Sequence, residues 1–156
     1  MQREHTYSVS LVWTGNTGQG TSDYRSYTRD HEINVPGKPS IYTSADPKFR
    51  GDPARYNPEE LLVSSLSSCH MLTFLAIACK KRFVLDEYAD EAVGLMEKNA
   101  EGRLAITHVT LRQRLKFSGE KQPTPQEIEE MNHGAHEQCF IANSVKTEVK
   151  VEPQQS

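Results

Sequence analysis

The stretch that most constrains this chain opens at Asn57-Pro58-Glu59-Glu60 and continues from Leu61 to about Arg82 with residues that are apolar or small on nearly every side. Asn57 is a capping residue type. Proline suits the first helical position, where its missing N–H would find no partner anyway, and two carboxylates in the first turn face the positive end of the helix dipole. Lys80-Lys81-Arg82 sets the complementary charge at the other end. A helix that is apolar all round does not lie on a surface, so the pattern predicts a central helix buried on most sides. Its most apolar run, Met71 to Cys79, falls far short of the ~20 residues of a membrane span.

Strand patterns flank this helix. Tyr7, Val9, Leu11 and Trp13 alternate with polar residues, as in a strand with one buried face, and Tyr24 to Val35 reads as a second, half-exposed strand. Pro36, Gly37, Pro39, Pro47, Gly51 and Pro53 make residues 36–56 mostly loop, with a short strand at Ser40 to Thr43. Beyond the helix, strands are predicted over Tyr88 to Lys98 and Arg103 to Ser118, with Val109, Leu111, Leu115 and Phe117 turned inward and Arg112, Arg114 and Lys116 outward. Thr124-Pro125-Gln126-Glu127 is a capping box that starts a second helix, whose apolar stripe is Ile128, Met131, Ala135 and Cys139. Val145, Val149 and Val151 close the chain with a strand. This order predicts an α+β fold with mostly antiparallel pairing, in one domain over residues 1–156.

With 36% hydrophobic and 25% charged residues the chain has the means to bury a core. Its 18 basic and 21 acidic residues give a formal net charge of -3. No strong positive field draws it to nucleic acid or to an anionic membrane, and neither is expected as a partner. Met1-Gln2-Arg3-Glu4-His5 leads into no apolar signal region, which makes the cytoplasm the expected location. Three cysteines in such a compartment argue for transient, chemical pairing over a structural staple.

Cys69 sits among small and apolar helical neighbours, Ser65, Leu66, Leu72, Thr73 and Ala76. It reads either as a buried small hydrophobe or, given access and a lowered pKa, as a nucleophile. Cys139, on the inward stripe of the second helix, points toward the same core, and two cysteines that meet from such distant positions suggest redox exchange. Cys79 lies ten residues beyond Cys69, roughly 15 Å along the same helix, and is read as packing. His133, His136 and Cys139 step by three, but each step rotates about 60°, so they do not share one face. No Cys-x-x-Cys or His-Glu-x-x-His pattern accompanies them, and no metal is expected. The serines at 64 to 68 lack the Gly-x-Ser-x-Gly elbow of a hydrolase.

Asn57-Pro58-Glu59-Glu60-Leu61-Leu62, followed ten residues after Glu59 by Cys69 and by a second cysteine late in the chain, closely resembles the OsmC/Ohr family of peroxide-detoxifying proteins over nearly the whole chain. The resemblance implies antiparallel sheets around a long buried central helix. It also implies a function: thiol-dependent reduction of organic hydroperoxides, in which Cys69 becomes a sulfenic acid and Cys139 resolves it to a disulfide. A dithiol reductant, lipoyl or other, then restores both, with no metal or organic cofactor. Glu59 matches the family's site carboxylate. The Ohr branch carries an arginine in the loop after the first strand, whereas Gly15 to Gly20 has none. Lys48-Phe49-Arg50-Gly51 resembles the basic segment of the OsmC branch, which assigns the site arginine to Arg50, with Arg25 and Arg29 as alternatives. The run Cys139-Phe140-Ile141-Ala142-Asn143-Ser144 departs from the Ohr pattern and places the chain in a divergent OsmC-like branch. On a continuous helix Glu59 is roughly 15 Å from Cys69. Two such helices crossing about a two-fold axis would bring each Glu59 to the partner's Cys69, so an intertwined homodimer with interfacial sites is expected. The rival from another class is a non-catalytic protein of the same fold that holds an apolar or acyl ligand.

Overall fold

The computed structural model describes residues 4–154. The chain parts into two compact units between Leu61 and Leu62. The first is built on a three-stranded antiparallel meander of β1 (Ser10–Trp13), β2 (His31–Asn34) and β3 (Ile41–Thr43), with Leu11 opposite Ile33 and Glu32 opposite Tyr42. These strands are shorter than the alternation predicts, because the segment after β1 folds back on itself. Trp13 Nε1–H donates to the Thr28 carbonyl at 2.9 Å, and the Thr28 and Thr14 amides donate to the carbonyls of Gly15 and Asp30. Only glycine fits at position 15, since a Cβ there would lie 2.0 Å from the Thr28 carbonyl oxygen. All four residues of β1 are exposed, so the alternation that predicts one buried face finds no cover among the described residues.

The Asn57 start behaves as its sequence predicts. Asn57 Oδ1 accepts the Glu60 amide at 2.9 Å while Glu60 Oε1 accepts the Asn57 amide at 3.0 Å, a reciprocal cap that opens α1 (Pro58–Lys80). This helix runs unbroken for 23 residues. Its buried residues, Leu66, His70, Phe74 and Ala78, repeat every four positions and make one stripe. Leu72 is 60% exposed and Leu75 37%, so the helix predicted to be buried on most sides is covered on one. An 18-residue window of α1 has a mean hydropathy of 1.7, which by length and composition would suffice to cross a membrane. Reading only Met71 to Cys79 understates the apolar length, because the small residues ahead of Met71 belong to the same helix.

α1 ends in a Schellman motif: Phe83 N–H donates to the Ala78 carbonyl and Arg82 N–H to that of Cys79, each at 3.0 Å. Arg82 occupies the left-handed position, φ 63°, where glycine is the usual residue. Arg82→Gly is therefore expected to stabilise the protein by about 1 kcal/mol. Thermal melts should show a rise of about 2–4 °C, and a fall in Tm would contradict it.

In the second unit β4 (Val84–Asp90) pairs antiparallel with β7 (Gln113–Ser118), while β5 (Val93–Lys98), β6 (Leu104–Leu111) and β8 (Glu148–Val151) form a three-stranded sheet. β8 joins β6 in parallel, the exception to the antiparallel expectation. The two long strands predicted here are each cut in two, at Glu91-Ala92 and at Arg112. Asp90 explains the cut: its Oδ1 accepts the Arg112 amide at 2.6 Å, taking the donor a straight ladder would use. The chain thus turns from one sheet into the other. α2 (Pro125–Gln138) begins at the predicted capping box, with Thr124 Oγ1 and the Glu127 carboxylate accepting each other's amides at 3.1 Å. Phe74, Ala78 and Phe83 pack with Met131 and Ala135 in one cluster, and Leu66 with Val109 and Leu111 in another.

Candidate functional site

The second unit brings two thiols together. Cys69 stands half-buried on α1, and Cys139, 1% exposed, is the C-cap residue of α2. At Cys139 the backbone leaves the helix for an extended conformation, ψ 112°, and the thiol stays inside. Cys139 Sγ accepts the Ala142 amide at 3.4 Å, and the Cys69 side chain is near enough to act on it electrostatically. Both thiols are free. Burial, the largest cause, pushes the Cys139 thiol above its ordinary 9.0; the Ala142 amide opposes this and the Cys69 thiol adds to it. Cys139 therefore keeps its proton at neutral pH. Cys79, read as packing, is exposed at the far end of the unbroken α1.

The first unit holds a different constellation. A cavity of about 430 Å³ is walled by Trp13, Tyr27 and Phe49 and carries Arg29, His31 and Glu59. Arg29 is held rigidly: Nη1–H donates to the Tyr27 carbonyl at 2.6 Å, Nη2–H donates to the Tyr24 carbonyl at 2.7 Å, and its guanidinium carbon lies 4.3 and 4.0 Å from the centres of the Tyr24 and Tyr27 rings. His31 Nδ1 hydrogen-bonds the Arg29 carbonyl at 2.8 Å. Glu59 Oε2 is buried without a hydrogen-bond partner among the described residues, so the cavity presents an acceptor awaiting a donor. Arg50 is not among the residues that line this cavity: it is exposed, with φ 64°, as the C-cap of the short 3-10 turn Pro47–Phe49. Arg25 is exposed too. The arginine beside Glu59 in this cavity is thus Arg29. The spacing Tyr24-x-x-Tyr27-x-Arg29, two aromatic faces for one cation, is a sequence signal that could have found it.

Sequence reasoning passes over Gln113 and Asn132, which are buried polar residues of the second unit, as is His70 next to Cys69. Among the described residues no group of three or more His, Cys, Asp or Glu side chains could hold a metal ion. His133 is exposed and pairs with Glu137 at 3.1 Å, and His136 is half-buried.

A family model described as OsmC-like protein matches residues 51–154. The chain is similar to the solved structure of an OsmC-like protein of unknown function from Vibrio cholerae, with 42% identity and a TM-score of 0.90 over 97% of this chain and 100% of that one. The fold is also shared with an organic hydroperoxide resistance protein OsmC from Legionella pneumophila, at 15% identity and a TM-score of 0.72 over 99% and 100% of the two chains. Organic hydroperoxide resistance protein OhrB of Bacillus subtilis shares it too, at 19% identity and 0.66 over 95% and 98%. No curated protein matches the chain.

Proposed function

The chain belongs to the OsmC-like protein family, and from that premise we propose that it reduces organic hydroperoxides to alcohols with its own thiols. The observation that carries this reading is the buried Cys139 thiol, with the half-buried Cys69 side chain near enough to act on it. The Cys69 thiolate attacks the distal peroxide oxygen; an S–O bond forms, the O–O bond breaks, and the alkoxide leaves and is protonated to the alcohol. Cys139 then attacks the sulfenic sulfur, an S–S bond forms, and the hydroxyl leaves with the thiol proton as water. A dithiol closes the cycle by reducing that bond and becoming a disulfide itself. The more exposed thiol reacts first, and the one whose pKa is raised resolves.

Glu59 and Arg29 are the polar clamp in this reading, Arg29 filling the role the sequence reading gave to Arg50. The carboxylate oxygen without a partner accepts a hydrogen bond from the hydroperoxide O–H, and the guanidinium stabilises charge on the departing oxygen. With α1 unbroken, Glu59 and Cys69 of one chain are about 15 Å apart along its axis. We therefore place each Glu59 at the partner's Cys69 in a cytoplasmic homodimer of single-domain subunits. The uncovered Leu72 and Leu75 of α1 and the exposed Tyr7, Val9 and Leu11 of the meander supply apolar surface for such an interface.

The test is one equivalent of cumene hydroperoxide added to reduced protein, with cysteines mapped by mass spectrometry and mass measured by sedimentation equilibrium. A Cys69–Cys139 bond within one chain, on a particle of twice the 17.6 kDa chain mass, is expected. An untouched Cys69 thiol would sink the peroxidase reading, and a monomer would sink the shared site.

A further inference from the structure

Polar side chains in the interior of the second unit are joined end to end. His70 on α1 is 1% exposed, Gln113 at the head of β7 0%, and Asn132 on α2 5%. His70 Nε2–H donates to Asn132 Oδ1 at 2.9 Å. Asn132 Nδ2–H donates to Gln113 Oε1 at 2.8 Å, and Gln113 Nε2–H donates to the hydroxyl oxygen of Tyr88 on β4 at 2.8 Å. Each amide receives through its oxygen and gives through its nitrogen, so the chain has one direction. That direction sets the His70 proton on Nε2 and leaves Nδ1 as a buried lone pair without a partner among the described residues. Burial, the largest cause, lowers the His70 pKa from 6.5. Asn132 and Asp90 oppose the shift and His136 adds to it. The ring is a neutral donor at neutral pH.

Apolar side chains of similar shape would fill this space without leaving polar groups to be satisfied, whereas a buried polar group that lost its partner would keep the full cost of its desolvation. What a hydrogen bond adds over apolar packing is direction, and fixing register is the best-attested use of buried polar groups. Here the first bond of the chain ties α1 to α2, the two helices that carry the cysteines. His70 follows Cys69 directly, and Asn132 lies seven residues, close to two turns, before Cys139. A slip of α2 by one residue would move Cys139 by about 1.5 Å along the helix. Disulfide closure tolerates little of that, since it requires a sulfur separation of about 2.05 Å and Cα atoms about 4.4–6.8 Å apart.

We propose that the His70–Asn132 hydrogen bond is the register pin between the two cysteine-bearing helices, which makes His70 and Asn132 positioning residues for closure of the Cys69–Cys139 disulfide. The inference rests on the redox reading of the pair but on no particular oxidant. Its test is therefore the equilibrium with glutathione. Cys69 and Cys139 give up two protons and two electrons and form one S–S bond, while glutathione disulfide is cleaved to two thiols. The equilibrium constant reads the effective concentration of Cys139 at Cys69.

His70→Leu removes the donor and is expected to lower that effective concentration tenfold or more. His70→Gln, whose amide nitrogen takes the place of Nε2, is expected to restore it to within threefold. Thermal melts of both variants separate the effect from general destabilisation. A His70→Leu protein that melts lower but keeps the wild-type equilibrium overturns the proposal, and so does a glutamine variant as poor as the leucine one. Should His70→Leu fail to fold, His70→Asn, whose amide stops short of Asn132, is read in the same way. Because glutathione needs no peroxide chemistry, the expected pattern in a protein that leaves cumene hydroperoxide untouched would refute the peroxidase reading and leave the pin standing.

Discussion

Cys69→Ser is expected to abolish turnover of cumene hydroperoxide, by at least ~10³-fold, as loss of a covalent nucleophile does. The reason is chemical. Only a thiolate attacks the peroxide oxygen at neutral pH, and a serine hydroxyl neither ionises there nor forms a stable product with oxygen. Cys139→Ser should behave differently, consuming the first equivalent at close to the wild-type rate and then stalling with a sulfenic acid on Cys69 that dimedone traps. The resolving step carries its own signature, since burial holds Cys139 above 9.0. The thiolate fraction of Cys139 grows tenfold per pH unit below its pKa, so the rate of disulfide closure should still be climbing at pH 9, where an ordinary thiol has begun to level off. Turnover that survived Cys69→Ser would end the nucleophile assignment. A wild-type protein without turnover that binds an apolar ligand equally well before and after the substitution would instead be the non-catalytic relative.

What the sequence discloses of this fold follows the reach of each signal. The helix starts at Asn57 and Thr124 are local statements, made by a side chain three residues from its partner, and both appear with their reciprocal bonds. The breaks at Glu91-Ala92 and Arg112 are not local, because Asp90 reaches 22 residues along the chain to take an amide. The alternation in Tyr7 to Trp13 and the apolar girth of α1 both read as burial, but among the described residues β1 is exposed and α1 is covered along one stripe only. Such patterns record that a surface is to be covered and not by what. The cysteines were legible because Cys139 falls on the stripe set by Met131 and Ala135. Gln113 and Asn132 obey the same two periodicities, period two with Leu111 and Leu115 and helical spacing with Ile128 and Ala135. Counting only apolar residues on an inward face hides its polar ones.

Arg29→Met is expected to lower kcat/KM for cumene hydroperoxide by about 10²-fold, the loss that follows removal of one preorganised donor group at a developing oxyanion. Arg50→Met is expected to leave it within twofold. The difference lies in how the two guanidinium groups are held. Arg29 makes two carbonyl bonds, at 2.6 and 2.7 Å, and stacks on two tyrosine rings, so the donors that remain free are aimed before substrate arrives. Orienting them during the reaction therefore costs little. Arg50 is exposed on a left-handed turn and must be ordered each time. Arg29→Lys should fall nearly as far as Arg29→Met, because a single ammonium lacks the planar fork that makes both carbonyl bonds while lying flat on a ring. Were charge alone sufficient, lysine would rescue, and the aromatic cradle would have no part in the chemistry. Should Arg50→Met be the damaging change and Arg29→Met the silent one, the clamp belongs to the segment before the helix, and the cavity around Glu59 must be released from the mechanism along with Arg29.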